Sequence, residues 1–418
     1  MMKFQVLVDG SVTDPKGYLA SGMHCRIKTS FRKPDVALIR SVRPAVAAGT
    51  FTTNSVKAWP LLYDLKIMRR PHHRVIFANS GNANCFNGPM GKRAVSETVR
   101  MLSSLLHVPK SEIFVASTGI IGRRFPIEKV RKAIPKLIRD LAPDGGHLAA
   151  RGILTTDTIP KEIAVRFEID HQPVTLAVMA KGAGMVEPQM NGSGIWAGGL
   201  KGSHATMLCF LTTDLHISKP MLQRAVEYAV EKTFNRLVID NDRSTNDMVL
   251  ILANGEAGNK KITVPDSRFK LFQEALVYVL ECTALNLAKD GEGVKHVCEV
   301  VVTGAKNRSE AERLGRQIST SMLFKTMLAG EDPNWGRLMG CVGASSVSYS
   351  PALDISFDGI PVLRNGREQS SNIRNVRHVL QKKEFRLVVN LKEGKSSDRF
   401  WATDLTKFYV WINSTYST

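Results

Sequence analysis

Between Lys181 and Asp214 (KGAGMVEPQMNGSGIWAGGLKGSHATMLCFLTTD) a glycine-rich, polar passage gives way abruptly to an apolar run at Ala205-Thr206-Met207-Leu208. A segment such as Thr206 to Leu211 (TMLCFL) belongs in a core, as a buried strand or as the start of a helix. The glycines before it can take backbone angles closed to other residues and let neighbouring atoms come close. Thr206 at this junction has two readings. As a β-branched residue it starts a strand well. Freed by cleavage of the Ala205–Thr206 bond, it would instead be a nucleophile carrying its own base, because its new α-amine titrates near ~8 beside its hydroxyl. The stretch alone does not choose between them.

A chain of 418 residues can bury a large core and has room for two or three domains. A hydrophobic content of 43% and a charged content of 23% fit a soluble globular protein. No apolar run comes near the ~18 residues of a membrane span. The opening MMKFQVLVDG lacks the pattern of a secretory signal, so a cytoplasmic location is expected. The cysteines (Cys25, Cys85, Cys209, Cys282, Cys298, Cys341) are scattered without a CxxC pair, as reduced core residues would be, and no zinc site is expected. The formal charge of +19 is less ordinary, with basic clusters at Arg69-Arg70, at His72-His73-Arg74 and from Arg123 through Arg139. Zinc-finger spacing, an RNP-like aromatic motif and a basic heptad region are all missing, so nucleic acid is not the expected partner. A solvated basic face, or attraction for small anionic substrates, accounts for the charge.

Along the chain, strand-like and helix-like pieces alternate. Met1 to Val12 has the alternation of an edge hairpin. Asp35 to Arg40 and Ala45 to Thr53 read as two core strands. His73 to Ala78 is a strand running into the polar loop Asn79 to Asn84, the place where α/β proteins set ligand contacts. A helix is expected over Gly88 to Leu106. The strand Ile113 to Ala116 then ends in Ser117-Thr118-Gly119, which is either a plain capped turn or a set of donors for an anion or oxyanion. Pro126 to Leu141 reads as an amphipathic helix interrupted by Pro135. Ile153 to Thr158 sets a polar cluster directly after apolar residues. A hairpin of Ala164 to Ile169 and Val174 to Met179 delivers the chain to Lys181.

Beyond Asp214, helices are expected from Ser218 to Phe234, Phe269 to Leu287 and Ser309 to Met327, with strands at Arg236–Ile239, Met248–Ala253 and His296–Thr303. The loop Asp240 to Asp247 (DNDRSTND) lacks the EF-hand glycine and terminal glutamate, and its aspartates read as structural, holding loop backbone. Glu292 lies between glycines after a helix, as a C-cap or as an acidic handle for an ammonium. A strand from Phe408 to Ile412 ties down the end of the chain.

The strings STGIIG, ILTTDT, KGAGM, ATMLCFLTTD, DRSTND, KDGEG, AGEDPNWGR and DLTKFYVWIN occur in one order. With GYLASGMHCRIK, AAGTFTTN and NSGNANCFNG they cover almost the whole chain, and the set resembles the ornithine acetyltransferases, also called glutamate N-acetyltransferases. That resemblance implies a layered α/β sandwich of two lobes with mixed sheets, meeting near residue 206 around the active site. It implies self-cleavage before the threonine of ATML, here the Ala205–Thr206 bond, into an α chain (1–205) and a β chain (206–418) that assemble as α2β2. Thr206 would take acetyl from N2-acetylornithine and pass it to glutamate in a ping-pong cycle, as a step of arginine biosynthesis. Whether acetyl-CoA also serves as donor is left open. Thr118 and Gly119 fall on the family's oxyanion pair, and Thr155, Lys181, Thr206, Glu292, Asn413 and Thr418 on its substrate contacts. Lys181 suits a carboxylate and Glu292 the ornithine side-chain ammonium. Neither cofactor nor metal is implied, because the acetyl group arrives on an amino acid.

The sequence departs from the family in two places: the loop DNDRSTND carries Asn241 and Arg243 where small or uncharged residues are usual, and the stretch before the cut is longer. Asn191 to His204 (NGSGIWAGGLKGSH) intervenes where relatives run from the equivalent of Met190 almost directly into the cut, and His204 stands where methionine is usual. The insert either bulges harmlessly ahead of the bond or disturbs its cleavage. Two other classes make different predictions. An N-terminal-nucleophile aminopeptidase or amidase would give its acyl group to water without needing glutamate, and a basic binding protein would need neither Thr206 nor cleavage.

Overall fold

A computed structural model describes residues 3–29, 33–192 and 206–415. Ala205, Thr418 and residues 193–204 of the insert lie outside the described residues. The chain forms two compact units, the first from residues 1–235 with 242–287 and the second from 236–241 with 288–417. Thr206 lies inside the first unit, just before the strand that begins at Leu208.

In the first unit the strands are β1 (Gln5–Leu7), β2 (Tyr18–Met23), β3 (Val36–Thr52), β4 (His73–Asn82) and β5 (Ile113–Ile120). They continue with β6 (Lys161–Ile169), β7 (Gln172–Lys181), β8 (Met190–Asn191) and β9 (Leu208–Thr213). After β10 (Leu237–Val238), which belongs to the second unit, β11 (Met248–Ala253) completes the set. The order across the sheet is β1-β6-β7-β9-β11-β3-β4-β5, with β2 and β8 also paired to β3. At its centre β9 runs antiparallel to β7, with Lys181 opposite Leu208, and parallel to β11, with Met248 opposite Leu208. Both β9 and β11 are buried along their whole length, as continuous apolar strands covered on two faces must be.

The two core strands expected at 35–40 and 45–53 are one long strand. The first part of β3 pairs with β4 and the second with β11, and the register slips between Arg40 and Ala45. Because side chains alternate along a strand, this one ribbon serves two cores. Ala37, Ile39, Ile76 and Phe114 face inward and join Phe210 and Leu250 in a single cluster. Their neighbours Val36, Leu38, Val75 and Val115 face outward onto α2 (Pro89–Leu106) and α3 (Ile127–Arg139). The result is a layered α/β sandwich, as the sequence implied. Pro135 sits within α3 without ending it.

Three expectations for this unit need correction. The N-terminal alternation yields only β1, paired to β6, and no hairpin. His73 is not part of a basic surface: it is buried, stacks on Phe114 at 4.3 Å, and its Nε2 lies 3.0 Å from the Ile67 carbonyl. The helix Ser267–Lys289 is long and apolar enough, by length and composition, to match a membrane span. Phe269, Phe272, Leu276, Val279 and Leu280 are nevertheless buried on it, the pattern of a core helix.

The second unit sets β12 (Val297–Ala305), β13 (Asp354–Phe357), β14 (Ile360–Arg364), β15 (Arg367–Glu368), β16 (Glu384–Asn390) and β17 (Ser396–Thr403) in the order β10-β17-β12-β16-β13-β14-β15. The central β12 is parallel to β16 and antiparallel to β17, so this sheet too is mixed. The single helix expected over 309–327 is two, Arg308–Thr320 and Met322–Ala329. Ser321 breaks them by taking extended backbone, and its hydroxyl caps the second helix by accepting from the Phe324 N–H at 3.2 Å. The C-terminal strand is a helix instead, Lys407–Thr415. Its aromatic and β-branched run favours a strand by propensity, but the Thr406 hydroxyl accepts the Tyr409 N–H at 3.2 Å and Phe408 stacks on Trp411 one turn on.

Candidate active site

Thr206 is buried just before β9, and its main chain is held from two sides. Lys181, the last residue of β7, donates through Nζ to the Thr206 carbonyl at 2.8 Å. From the other side, Asp247 Oδ1 accepts the Met207 N–H at 2.8 Å, and the Met248 N–H reaches the Met207 carbonyl at 3.2 Å. The Thr206 hydroxyl itself lies 2.9 Å from the Ser244 hydroxyl. The loop before β11 thus embraces the start of β9.

The same loop reaches β5. Asn246 Nδ2 donates to the Ser117 carbonyl at 2.7 Å and to the Ala83 carbonyl at 2.9 Å, which brings the end of β5 to the loop that holds Thr206. Here Ser117-Thr118-Gly119 is strand, not a plain turn: Thr118 sits opposite Ser80, and Gly119 opposite Gly81. Gly119 has φ +123°, and a Cβ there would stand 2.4 Å from the Gly81 carbonyl carbon, so only glycine fits. The Thr118 hydroxyl is buried and has no hydrogen-bond partner among the described residues.

A buried carboxylate ties Thr155 to Lys181. Asp157 accepts the Thr155 N–H at 3.0 Å, the Gly182 N–H at 2.7 Å and Lys161 Nζ at 2.6 Å, and lies 3.7 Å from Lys181 Nζ. Burial pushes the Asp157 carboxyl up, but Lys181, Lys161 and the Gly182 N–H together outweigh it and hold the group well below the usual carboxylate range. Asp247 goes the other way. Burial pushes it up to about 7 against the Met207 N–H, the Ser244 N–H and hydroxyl, and the Lys181 charge. Lys28 is pulled down to about 8 by burial, with Asp35 opposing and Lys181 reinforcing the shift. Its Nζ donates to the Pro34 carbonyl at 2.9 Å, and its side chain packs beside Gly81.

The first unit thus connects Thr155, Lys181 and Thr206 through Asp157 and the Thr206 carbonyl, while Asn246 and Ser244 link Thr206 to Ser117, the residue before Thr118 and Gly119. In the second unit Asn413 Nδ2 donates to Glu292 Oε2 at 2.9 Å. Gly293, at φ +70°, makes this possible: a Cβ there would lie 2.5 Å from the Tyr409 nitrogen. Thr418 and Ala205 lie outside the described residues. Among the loop aspartates, Asp247 does hold backbone, whereas Asp240 meets the Tyr409 hydroxyl at 3.3 Å. Among the described residues no group of three His, Cys, Asp or Glu side chains is placed to hold a metal.

Sequence reasoning passed over Ser244, Asp157, Lys161 and Lys28. DRSTND and ILTTDT contain the first two, but their contacts join residues far apart in the chain, and spacing carries no trace of that. GYLASGMHCRIK ends on Lys28, but nothing in that string marks the burial of its side chain.

With this geometry in hand, the comparisons with known proteins are direct. The family model for the ArgJ family matches residues 19–418. The glutamate N-acetyltransferase of Methanocaldococcus jannaschii is 38% identical, covering 99% of this chain and 100% of that one. The arginine biosynthesis bifunctional protein ArgJ of Symbiobacterium thermophilum is also 38% identical, covering 98% and 99%. Among solved structures, ornithine acetyltransferase of Mycobacterium tuberculosis complexed with ornithine is 34% identical over 45% of this chain and 99% of that chain, with a TM-score of 0.43. The chain belongs to the ArgJ family.

Proposed function

We propose that the protein is a glutamate N-acetyltransferase that moves acetyl from N2-acetylornithine to glutamate in arginine biosynthesis, by a ping-pong cycle through acetyl-Thr206. The chain first cuts itself at Ala205–Thr206, giving α (1–205) and β (206–418) chains that assemble as α2β2 in the cytoplasm. The observation that carries the reading is Thr206 itself: a buried threonine with its carbonyl on Lys181 and its hydroxyl on Ser244, in a chain 38% identical from end to end to an enzyme of that name.

In this reading the Thr206 hydroxyl attacks the acetyl carbonyl, and the freed α-amine takes the proton and returns it to the departing ornithine nitrogen. Backbone and hydroxyl donors at Thr118 and Gly119 stabilise the oxyanion, and the loss of one such donor costs ~100-fold or more in rate. Lys181 and Thr155 hold the amino-acid end of the substrate. Glu292, oriented by Asn413, takes the side-chain ammonium together with Thr418. Acetyl enters and leaves on amino acids, so the chemistry needs no cofactor.

Denaturing mass spectrometry of the purified protein beside Thr206→Ala tests the cut: two fragments joining at 205/206 are expected for the wild type and one intact chain for the variant. Transfer is then followed with N2-acetylornithine, with and without glutamate. Acetylglutamate should form only when glutamate is present. Ornithine release at the same rate without glutamate, yielding free acetate, would make the enzyme a hydrolase and end the transferase reading.

A further inference from the structure

The self-cleavage proposed above raises a chemical problem that the mature enzyme does not have. In the uncut chain the Thr206 nitrogen is an amide, whose lone pair is delocalised into the carbonyl and has no useful basicity. The amine that can serve as base after the cut does not exist while the cut is being made. Another group must accept the hydroxyl proton.

The hydrogen bonds around Thr206 show which group is in reach. Its Oγ1 lies 2.9 Å from Ser244 Oγ. Ser244 Oγ already accepts the Asn246 N–H at 3.0 Å, which leaves it one acceptor lone pair and one proton to give. Its carbonyl is fixed by the Thr52 hydroxyl at 2.8 Å, so the serine is held on the framework of β3. Three residues on stands Asp247, fully buried, with Oδ1 on the Met207 N–H and with the Ser244 N–H and hydroxyl among the donors that act on its carboxyl.

We infer that Ser244 and Asp247 form the proton relay for maturation: Ser244 receives the Thr206 hydroxyl proton while passing its own to Asp247, so that Thr206 Oγ1 can attack the Ala205 carbonyl carbon. This inference rests on the self-cleavage reading. The new C–O bond forms as the Ala205 C–N bond breaks, and the proton returns from Asp247 through Ser244 to the departing Thr206 nitrogen, which becomes the free amine. Water then hydrolyses the ester, leaving the Ala205 carboxylate and the restored hydroxyl. Ser244 touches the reacting oxygen and is catalytic for the cut, whereas Asp247 acts through it. The charged group acting on Asp247 is the Lys181 ammonium at the end of β7, and its shifted titration places the working range near neutrality.

The test uses the full-length chain, captured early in expression and incubated at pH 5 to 9, with conversion to two fragments followed by denaturing mass spectrometry. Thermal melts confirm that each variant is folded. Wild-type cleavage should accelerate with pH and level off above about 7, the profile of a base that must ionise. Asp247→Asn keeps the shape and the Met207 contact, and should cleave ~100-fold or more slowly without that pH inflection. Ser244→Ala should slow cleavage in the same way, while Ser244→Thr, which keeps a hydroxyl, should restore it to within about tenfold of wild type. Folded Asp247→Asn and Ser244→Ala that cleave at the wild-type rate with the wild-type pH profile overturn the relay and leave the self-cleavage reading intact. A wild type that stays whole at every pH overturns that reading itself, and the relay with it.

Discussion

Asp157→Asn probes a buried cluster of charge in the first unit. Asp157, Lys161 and Lys181 are all buried, and the carboxylate stands 2.6 Å from one ammonium and 3.7 Å from the other. An asparagine fits the space and can still accept one of the two N–H groups from Thr155 and Gly182, so the change is chiefly one of charge. Taking one member from a buried ionic cluster costs roughly 3–5 kcal/mol, because the remaining charges stay desolvated. The unit concerned has roughly 280 residues. At about 2.1 cal/mol/K of unfolding entropy per residue, the loss corresponds to a fall of roughly 5–8 °C in Tm. The sign with pH is also fixed. The Asp157 carboxyl is depressed in the folded state, so its contribution is complete above its unfolded value near ~4 and fades as pH falls below that. The gap between wild type and variant should therefore be full at pH 7 and narrow in acid. Calorimetry of wild type, Asp157→Asn, Lys161→Met and the double variant checks the cause. Since Lys161→Met removes one ammonium that the lost carboxylate had balanced, the double variant should be more stable than the sum of the single losses by about 1–3 kcal/mol. A loss under ~1 kcal/mol for Asp157→Asn, or strict additivity in the cycle, would refute the argument.

Three further outcomes follow from single positions. Gly119→Ala puts a Cβ 2.4 Å from the Gly81 backbone at φ +123°, so it should cost about 1–3 kcal/mol and reduce acetyl transfer ~100-fold or more, read as kcat with N2-acetylornithine and glutamate. Gly122→Ala, at φ +78° with open space around it, should show a stability loss of similar origin and unchanged kcat. His73, lowered by burial to about 4, is neutral when folded and binds a proton more readily when unfolded. Stability should thus fall by about 3 kcal/mol as pH drops from ~6.5 to ~4, and His73→Phe should flatten that part of the profile in chemical denaturation.

The parts of the fold legible in the sequence are those where one strong local signal had no competitor. TMLCFL leaves a buried strand or a helix start open and MVLILA reads as a core strand, and the strands that form there are β9 and β11, side by side. The hairpin around His171 was equally clear, and its turn takes the positive φ at Asp170 and His171 that such a tight reversal needs. Where two signals competed, propensity misled. The run KFYVWIN reads as strand until the Thr406 cap and the Phe408–Trp411 spacing are weighed, and Ser321 breaks what periodicity joined. The strands between residues 354 and 403 went unassigned, since pairings such as β12 with β16 join segments that carry no mark of one another. The site divides in the same way. Thr118, Gly119 and Thr206 are singled out through motifs, whereas Ser244 draws notice only because it meets a residue 38 positions away, and a spacing of that length has no periodicity to detect.

The position of Thr206 in the sheet also bears on how a chain can cut itself beside its own core. The chain on either side of the proposed cut supplies adjacent strands: β7 runs up to Lys181, β9 leaves from Leu208, and the two pair antiparallel from Leu176–Thr213 to Lys181–Leu208. Neither product therefore owns a complete sheet, and each supplies a strand that the other needs for its hydrogen bonds. Cutting the connection removes no ladder bond and no core contact within that pairing. It removes only a loop-closure constraint, whose entropic cost rises slowly with length, by about 0.6 kcal/mol for each doubling. The insert enters this connection just after β8, where Asn191 still pairs with Phe51. Its length alone is thus nearly neutral for the fold. What governs the cut is the local setting of Thr206, held by Lys181 on one side and by Ser244 and Asp247 on the other, and each of these contacts is made by residues outside the insert. Deleting residues 192–204 should on this argument leave the pH profile of cleavage unchanged, whereas Asp247→Asn should abolish its inflection.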